Sequence, residues 1–199
     1  MRDFPLFQSH LDLAHSYWKS IILPGDCVVD ATCGNGHDTL FIAQLALNEE
    51  KKGLVIAIDT QKQAIEATRE RLATSLSSEL LPSVSFINQC HSQFPDDLPK
   101  ESVKLIVYNL GYLPGGDKSL TTQNKTTLES LAQALTLICR GGAISITCYP
   151  GHPEGKVEEQ LILEFISTLD PKKWNCCHHR WMNRKQSPSL LLIQRSGCV

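Results

Sequence analysis

The stretch VDATCGNGHDTL at residues 29–40 decides the fold class. The short apolar run Cys27–Asp30 at its start predicts a buried strand, and residues 37–47 predict a helix. Between them, Gly34 and Gly36 let the backbone turn tightly and approach a ligand closely. A strand, a glycine turn and a helix in this order predict the first unit of a parallel sheet covered by helices.

Alternating strand and helix patterns continue outward along the chain. Strands are predicted at 27–30, 54–58, 84–88, 104–108 and 143–148, followed by an antiparallel pair at 174–181 and 189–194. Helices are predicted at 11–22, 37–47, 61–76, 126–139 and 154–169, the fourth ended by Arg140 and Gly141. The prediction is therefore a single α/β domain over residues 1–199. It has a Rossmann-like, mostly parallel seven-stranded sheet, a C-terminal antiparallel hairpin and helices on both faces.

Composition narrows the class of protein. Hydrophobic residues make up 42% of the chain, charged residues 20%, and the formal net charge is −2. These values are typical of a globular domain and give no global argument for nucleic-acid binding. No apolar run approaches the roughly 20 residues that span a bilayer, and the start of the chain does not fit a signal peptide. We expect a cytoplasmic protein without membrane association.

The eight cysteines are expected to be free thiols, because the chain has no C-x-x-C pair and a reducing compartment is expected. The run CCHH at residues 176–179 looks like a metal cluster. In an extended strand, however, neighbouring side chains point to opposite faces and do not converge on one ion. We therefore expect no metal site.

In open α/β sheets, ligands bind beyond the carboxyl ends of the strands, where Asp30 and Asp59 follow the first two strands. Thr39 takes the place of the third glycine of a dinucleotide fingerprint, which counts against a nicotinamide cofactor. Asp30 would also repel a pyrophosphate, whereas it suits a cationic sulfonium, and Asp59 suits ribose hydroxyls. This D-x-x-x-G-x-G arrangement resembles the first motif of class I methyltransferases, and the predicted cofactor is S-adenosylmethionine. A tight turn with a helix-capping acid is the alternative.

Residues after the third strand, Cys90 and His91, occupy the position where such enzymes contact adenine, although a solvent-facing loop histidine is nearly as good an interpretation. The residues predicted to bind the cofactor are Asp30, Thr32, Gly34, Asn35, Gly36, Asp38, Thr39, Asp59, Gln61, Cys90, His91 and Asn109.

The loop after the fourth strand is the predicted chemical site. Its start, Asn109-Leu110-Gly111-Tyr112, resembles the Asn-Pro-Pro-Tyr motif of amino-group methyltransferases, with Leu110 and Gly111 in place of the prolines. An amine must point its lone pair at the methyl group, and acceptors that hold its N–H groups achieve this. The Asn109 side-chain oxygen and the Leu110 carbonyl are such acceptors, and Tyr112 would shape the pocket. A purely structural turn is the alternative.

An alkyl amine with a pKa of about 10.4 costs roughly 4 to 5 kcal/mol to deprotonate at pH 7. A base near the site would lower this cost. The sequence offers His15, His152, Asp117 and Tyr112 and does not rank them.

Four segments together, at residues 14–15, 29–40, 108–118 and 149–155, resemble the YtqB-like family of putative rRNA methylases, whose members include MnmM-type tRNA methyltransferases. The resemblance implies methylation of the 5-aminomethyl group on a wobble uridine, usually 2-thiolated, in a tRNA anticodon stem-loop. Catalytic roles are predicted for Asn109, Leu110, Tyr112 and His152. Substrate contacts are predicted from His15, Gly111, Asp117, Lys118 and Tyr149.

A local basic stretch fits an RNA substrate despite the acidic total. Residues 172–185 contain five Lys or Arg, two Trp, two His and no acid. Unpaired bases stack on aromatic rings while cations hold phosphates, so Arg180, Trp181, Arg184 and Lys185 are expected to contact tRNA. Alternatively, the strand contributes core residues and its charges are merely solvated.

Three alternatives to the tRNA reaction stay open: ribosomal RNA as substrate, a small amine as substrate, and a non-catalytic module that binds the cofactor or RNA. The sequence does not distinguish a monomer from a homodimer.

Overall fold

The computed structural model describes residues 8–111, 124–184 and 186–197. The helices are α1 His10–Ile21, α2 His37–Ala46, α3 Lys62–Ser75, α4 Asn124–Leu137 and α5 Pro153–Ser167. The strands are β1 Cys27–Asp30, β2 Leu54–Asp59, β3 Val84–Asn88, β4 Val103–Asn109, β5 Ile138–Cys148, β6 Trp174–His179 and β7 Ser189–Arg195. The predicted fold class is confirmed.

These strands form one seven-stranded sheet in the order β3-β2-β1-β4-β5-β7-β6. Strands β1 to β5 are parallel, and β7 runs antiparallel between β5 and β6. The chain order reverses between β1 and β4, which leaves a crevice beyond their carboxyl ends. This switch point sets the place where a ligand site is to be sought.

Alternate residues of the central strands pack on opposite faces of the sheet, as the pleat requires. Val28 and Leu105 join the core under α1 and α2, whereas Val29 and Ile106 join the core under α4 and α5. Because both faces are covered, the central strands are apolar throughout instead of alternating. No helix in the described part of the chain is long and apolar enough to cross a membrane.

The predicted boundary between the fourth helix and the fifth strand is wrong. Helix α4 ends at Leu137, and β5 begins at once with Ile138, so the predicted stop at Arg140 and Gly141 lies inside the strand. Ile138 pairs with Val103, but the register then shifts until Ala143 pairs with Leu105. This shift is a bulge in β5, and Gly141 lies in it with a φ of +70°. A glycine after a helical pattern signals a helix end or a bulge equally well.

The end of β6 also differs from its prediction: the strand stops at His179 and not at residue 181.

Gly53 provides a test of how tightly the turn before β2 is packed. A Cβ atom at this residue would lie 2.2 Å from the carbonyl oxygen of Ala46 and 3.0 Å from that of Asp26. Both neighbours are backbone, so the start of β2 would have to shift. We expect Gly53→Ala to lower the free energy of unfolding by about 1–3 kcal/mol or more, measured by urea denaturation. Gly197→Ala is the control, because its nearest neighbour lies 3.9 Å away, and equal losses in both variants would contradict the packing account.

Candidate active site

The carboxyl ends of β1, β2 and β4 bring Asp30, Asp59 and Asn109 to one edge of the sheet. Strand β1 lies between the other two, so the three side chains surround the switch point. The backbone N–H of Asn109 donates to the Thr32 Oγ1 atom at 2.7 Å and joins the loop after β1 to the end of β4. The residues predicted from separate strands therefore lie in one site.

Asp30 is completely buried at the carboxyl end of β1. Its carboxylate accepts hydrogen bonds from Thr39 Oγ1 at 2.6 Å and from the Thr32 N–H at 3.2 Å. Burial raises the pKa of Asp30 to about 7, and the nearby Asp38 carboxylate adds to this rise. An acid in this state favours a positively charged ligand, since a cation stabilises the ionised form. This fits the sulfonium cofactor that the sequence predicts.

The glycine turn is anchored to α3. Gly34 and Gly36 both have positive φ, and a Cβ atom on Gly36 would lie 2.8 Å from the Thr68 Cα atom, so only glycine fits there. Thr68 Oγ1 donates to the Gly34 carbonyl at 2.9 Å, and Arg71 Nε donates to the Asn35 carbonyl at 2.6 Å. The Asn35 residue itself is exposed. These bonds hold the turn open for close approach of a ligand.

Asp59 is oriented by backbone groups on both of its carboxylate oxygens. The Gly34 N–H donates to one oxygen at 3.0 Å, and the Gln61 N–H donates to the other at 2.9 Å. Burial raises the pKa of Asp59, and the backbone hydrogen bonds oppose that rise. Each oxygen keeps a further lone pair for a hydroxyl donor. The carboxylate therefore fits the two ribose hydroxyls of the predicted cofactor.

His91 is buried against α4 and does not face solvent, so the alternative of an exposed loop histidine is wrong. Its carbonyl accepts from Ser130 Oγ at 2.6 Å, and its ring meets the Tyr108 ring edge-on at 5.8 Å. Burial lowers the pKa of His91 to about 4, so the ring is neutral at physiological pH. Its Nδ1 atom has no hydrogen-bond partner among the described residues. Cys90 is half-buried beside it, and contact of either residue with adenine stays a prediction.

The side-chain amide of Asn109 has a fixed direction. Its Nδ2 atom donates to Asp38 Oδ2 at 2.9 Å, and the carboxylate is an acceptor. The amide oxygen, Oδ1, must therefore point the other way. That oxygen is buried and accepts no hydrogen bond from any residue that the structure describes. A buried acceptor without a donor is costly, so this atom is poised for an N–H or O–H of a ligand.

His15 holds the other side of the same carboxylate, since its Nε2 atom lies 2.8 Å from Asp38 Oδ1. The imidazole ring stacks on Phe41, with ring centroids 3.9 Å apart, and is tilted against Trp18 at 5.0 Å. His15 was predicted to contact substrate and Asp38 to contact cofactor. The structure brings them together as a pair that orients Asn109.

Sequence reasoning missed His10, which joins this cluster from the first turn of α1. Its ring meets Tyr149 edge-on at 5.9 Å, and its Nε2 atom is buried without a hydrogen-bond partner in the described chain. Burial lowers the pKa of His10, while Asp38 and Asp12 oppose this shift. Tyr149 in turn lies next to the Gly111 backbone. No motif marks His10, because only the packing of α1 against the end of β5 brings it to the site.

His152 is the N-cap of α5: its Nδ1 atom accepts the Gly155 N–H at 3.1 Å and lies 3.2 Å from Glu154 Oε2. Its predicted catalytic role stays a prediction. Leu110 is buried, and its N–H donates to the Thr147 carbonyl.

The structure divides the basic stretch between the two edges of the sheet. His179 pairs with Leu190, and Ser189 pairs with Cys148 at the carboxyl end of β5, so the loop from Arg180 to Arg184 lies at the edge of the candidate site. The Arg184 guanidinium stacks over the Trp181 ring at 4.7 Å. Lys172 and Lys173 precede β6 and lie at the opposite edge. Contact of Arg180, Trp181 and Arg184 with tRNA stays a prediction.

Four predicted site residues lie outside the described part of the chain: Tyr112, Asp117, Lys118 and Lys185. In that described part, the cysteines are free thiols, and no group of three or more His, Cys, Asp or Glu side chains is arranged to hold a metal ion.

Comparison with known proteins identifies relatives along nearly the whole chain. A family profile described as "Putative rRNA methylase" matches residues 55–195. A protein of Arabidopsis thaliana named "tRNA (mnm(5)s(2)U34)-methyltransferase, chloroplastic" is 39% identical over 185 residues, which cover 92% of this chain and 68% of that protein.

Solved structures agree with these sequence relatives. The crystal structure of a putative rRNA-methylase from Clostridium thermocellum matches with a TM-score of 0.87 and 35% identity, covering 95% of this chain and 98% of that one. A putative methyltransferase from Streptococcus mutans, solved in complex with SAH, matches with a TM-score of 0.81 and 27% identity, covering 95% and 99%.

The raised pKa of Asp30 predicts a pH-dependent stability. The group ionises near its ordinary value of 3.8 in the unfolded chain and near 7 in the fold. Ionisation therefore destabilises the fold progressively as the pH rises from about 4 to about 7, with no further change above. Asp30→Asn removes this titration. We therefore expect the free energy of unfolding of the variant, relative to that of the wild type, to be higher at pH 8 than at pH 5. Urea denaturation at the two pH values measures this difference. A constant difference at the two pH values would contradict the assignment.

Proposed function

The chain belongs to the putative rRNA methylase family and is an S-adenosylmethionine-dependent methyltransferase, and we propose that it methylates the 5-aminomethyl group of a wobble uridine, usually 2-thiolated, in tRNA. The reaction named for the Arabidopsis relative supports this substrate, since that protein is 39% identical to the chain over 185 residues. The observation that carries the proposal is the buried Oδ1 atom of Asn109, which has no hydrogen-bond partner among the described residues.

An amine nucleophile explains why an acceptor is needed at this position. A neutral primary amine has two N–H groups and one lone pair, and its lone pair faces forward only when the N–H groups are held from behind. Asn109 Oδ1 accepts one N–H, and the Leu110 carbonyl accepts the other. When bound, S-adenosylmethionine supplies an electrophilic methyl group. Attack of the amine nitrogen would form the new C–N bond and release S-adenosylhomocysteine as the neutral thioether, and the secondary ammonium product would lose its extra proton to solvent.

Proton removal is the second task of the site. The amine arrives mostly as an ammonium ion, and losing its proton costs roughly 4 to 5 kcal/mol at pH 7. His10 joins His15 as a candidate for the base, because burial lowers the pKa of His10 and keeps its ring neutral. His15 is already bonded to Asp38 through Nε2. The Nε2 atom of His10 has no hydrogen-bond partner in the part of the chain that the structure describes, so it is the more available acceptor.

The loop that joins β6 to β7 supports an RNA substrate. Arg180 and Arg184 are exposed, the Trp181 ring is stacked by the Arg184 guanidinium, and Met182 is 85% exposed. Cations contact phosphates, and flat or apolar side chains contact bases that have left a helix. An anticodon loop presents both chemistries next to the site.

The substrate is tested directly with purified protein, labelled S-adenosylmethionine and separate pools of tRNA, ribosomal RNA and small alkyl amines. The tRNA should come from cells that lack this activity and retain the aminomethyl precursor. We expect label in tRNA, recovered after digestion as the methylaminomethyl nucleoside. Label confined to ribosomal RNA or to a small amine would overturn the proposed substrate and leave the methyltransferase chemistry in place.

Asn109→Ala tests the acceptor role. Removing one positioned hydrogen-bonding group of an active site lowers kcat by about 10² to 10³. We expect a loss of this size with the affinity for S-adenosylmethionine nearly unchanged, measured by single-turnover kinetics and calorimetry. An unchanged kcat would show that another group holds the amine.

Exchanging the two partners tests the direction of the amide. Asn109→Asp alone places two carboxylates face to face and should be almost inactive. In Asp38→Asn/Asn109→Asp, the new amide at position 38 donates to the carboxylate at 109 and accepts from His15, so an oxygen again faces the amine. We expect the double variant to recover about tenfold in kcat over Asn109→Asp. No recovery would contradict the orienting role of Asp38.

A further inference from the structure

A basic groove lies at the opposite edge of the sheet from the candidate active site. Its volume is about 550 Å³, and half-buried Trp174, packed on the core, contributes to its wall. The charged residues that line it are Lys100, Glu101, Arg140, Lys172, Lys173 and Arg195.

Positive charge dominates this groove. Glu101 is its only lining carboxylate among the described residues, and it is paired with Arg195 at 2.5 Å. Lys100, Lys172 and Lys173 are exposed and form no ion pair with any residue that the structure describes. Since the whole chain has a net charge of −2, the rest of the surface is more acidic than this groove. The residues that line the groove carry a net positive charge, so the groove attracts an anion.

The groove and the loop from Arg180 to Arg184 lie at the two ends of the same edge strand. Strand β6 begins with Trp174, directly after Lys173, and ends with His179, directly before Arg180. At about 3.4 Å per residue these ends are roughly 17 Å apart. No acidic residue lies on β6 between them. The outermost strand of the sheet, β6, thus has cationic residues beyond both of its ends and no carboxylate of its own between them.

We propose that this groove binds the sugar–phosphate backbone of the anticodon stem of the substrate tRNA. The anticodon loop enters the site at the carboxyl edge, the stem lies along β6, and Lys172 and Lys173 contact phosphates at its far end. Lysines in an open groove suit phosphate contacts, which set position and affinity without reading bases. This inference rests on the proposed function, because it takes tRNA as the substrate.

The test compares two RNA hairpins that share the anticodon loop and differ in stem length, one too short to reach the groove and one long enough. Binding is measured by fluorescence anisotropy with the full-length protein. Lys172→Ala/Lys173→Ala should weaken binding of the long hairpin roughly five- to tenfold and reduce its salt slope by about one per lost phosphate contact. The same double variant should bind the short hairpin as tightly as the wild type does, and its kcat at saturating tRNA should be unchanged.

Lys51→Ala/Lys52→Ala is the matched control, because it removes two charges from the turn before β2 at the far side of the sheet. It should bind both hairpins like the wild type. Equal weakening of both hairpins by the groove variant, or no weakening of either, would overturn the stem contact alone. A wild-type protein that binds neither hairpin would overturn the tRNA substrate and this inference with it.

Discussion

The carboxylate of Asp38 sets the direction of the chemistry in this fold. It accepts one hydrogen bond from His15 and one from the Asn109 amide, and it leaves the amide oxygen facing the crevice. If the amide were reversed, an N–H group would meet the incoming amine and repel its N–H groups. In the proposed mechanism, the stacking of His15 on Phe41 and the packing of α1 hold this carboxylate in place, although none of these groups needs to touch the reacting atoms.

The sheet topology brings this arrangement about. The reversal of strand order at β1 and β4 places the acid of one loop beside the amide at the end of another strand, and Thr32 Oγ1 joins the two through the Asn109 N–H. On the cofactor side, buried Asp30 fits a cationic ligand, and Asp59, whose two oxygens each accept a backbone hydrogen bond, fits a ribose. In the proposed function, one crevice holds an acidic half for the cofactor and an acceptor half for the amine.

Sequence reasoning found the fold and most of the crevice because their signals are local. A strand, a glycine turn and a helix follow one another within residues 27–47, and the strand-end position of Asp59 and Asn109 follows from the sheet alone. The contact between Asp38 and Asn109 joins residues 71 positions apart, and the place of His10 depends on how α1 packs. Pairing across the sheet decides such contacts, and no local pattern records them. The same holds for the basic stretch, since β6 carries its two ends to opposite edges of the sheet.

Nucleoside analysis of tRNA from cells with and without this protein tests the central claim most directly. Total tRNA is digested and its wobble uridines are quantified by mass spectrometry. If the amine is held by Asn109 and methylated there, cells without the protein lose the methylaminomethyl form and accumulate its aminomethyl precursor. Restoring the wild-type protein should reverse the change. An unchanged ratio of the two nucleosides would contradict the account.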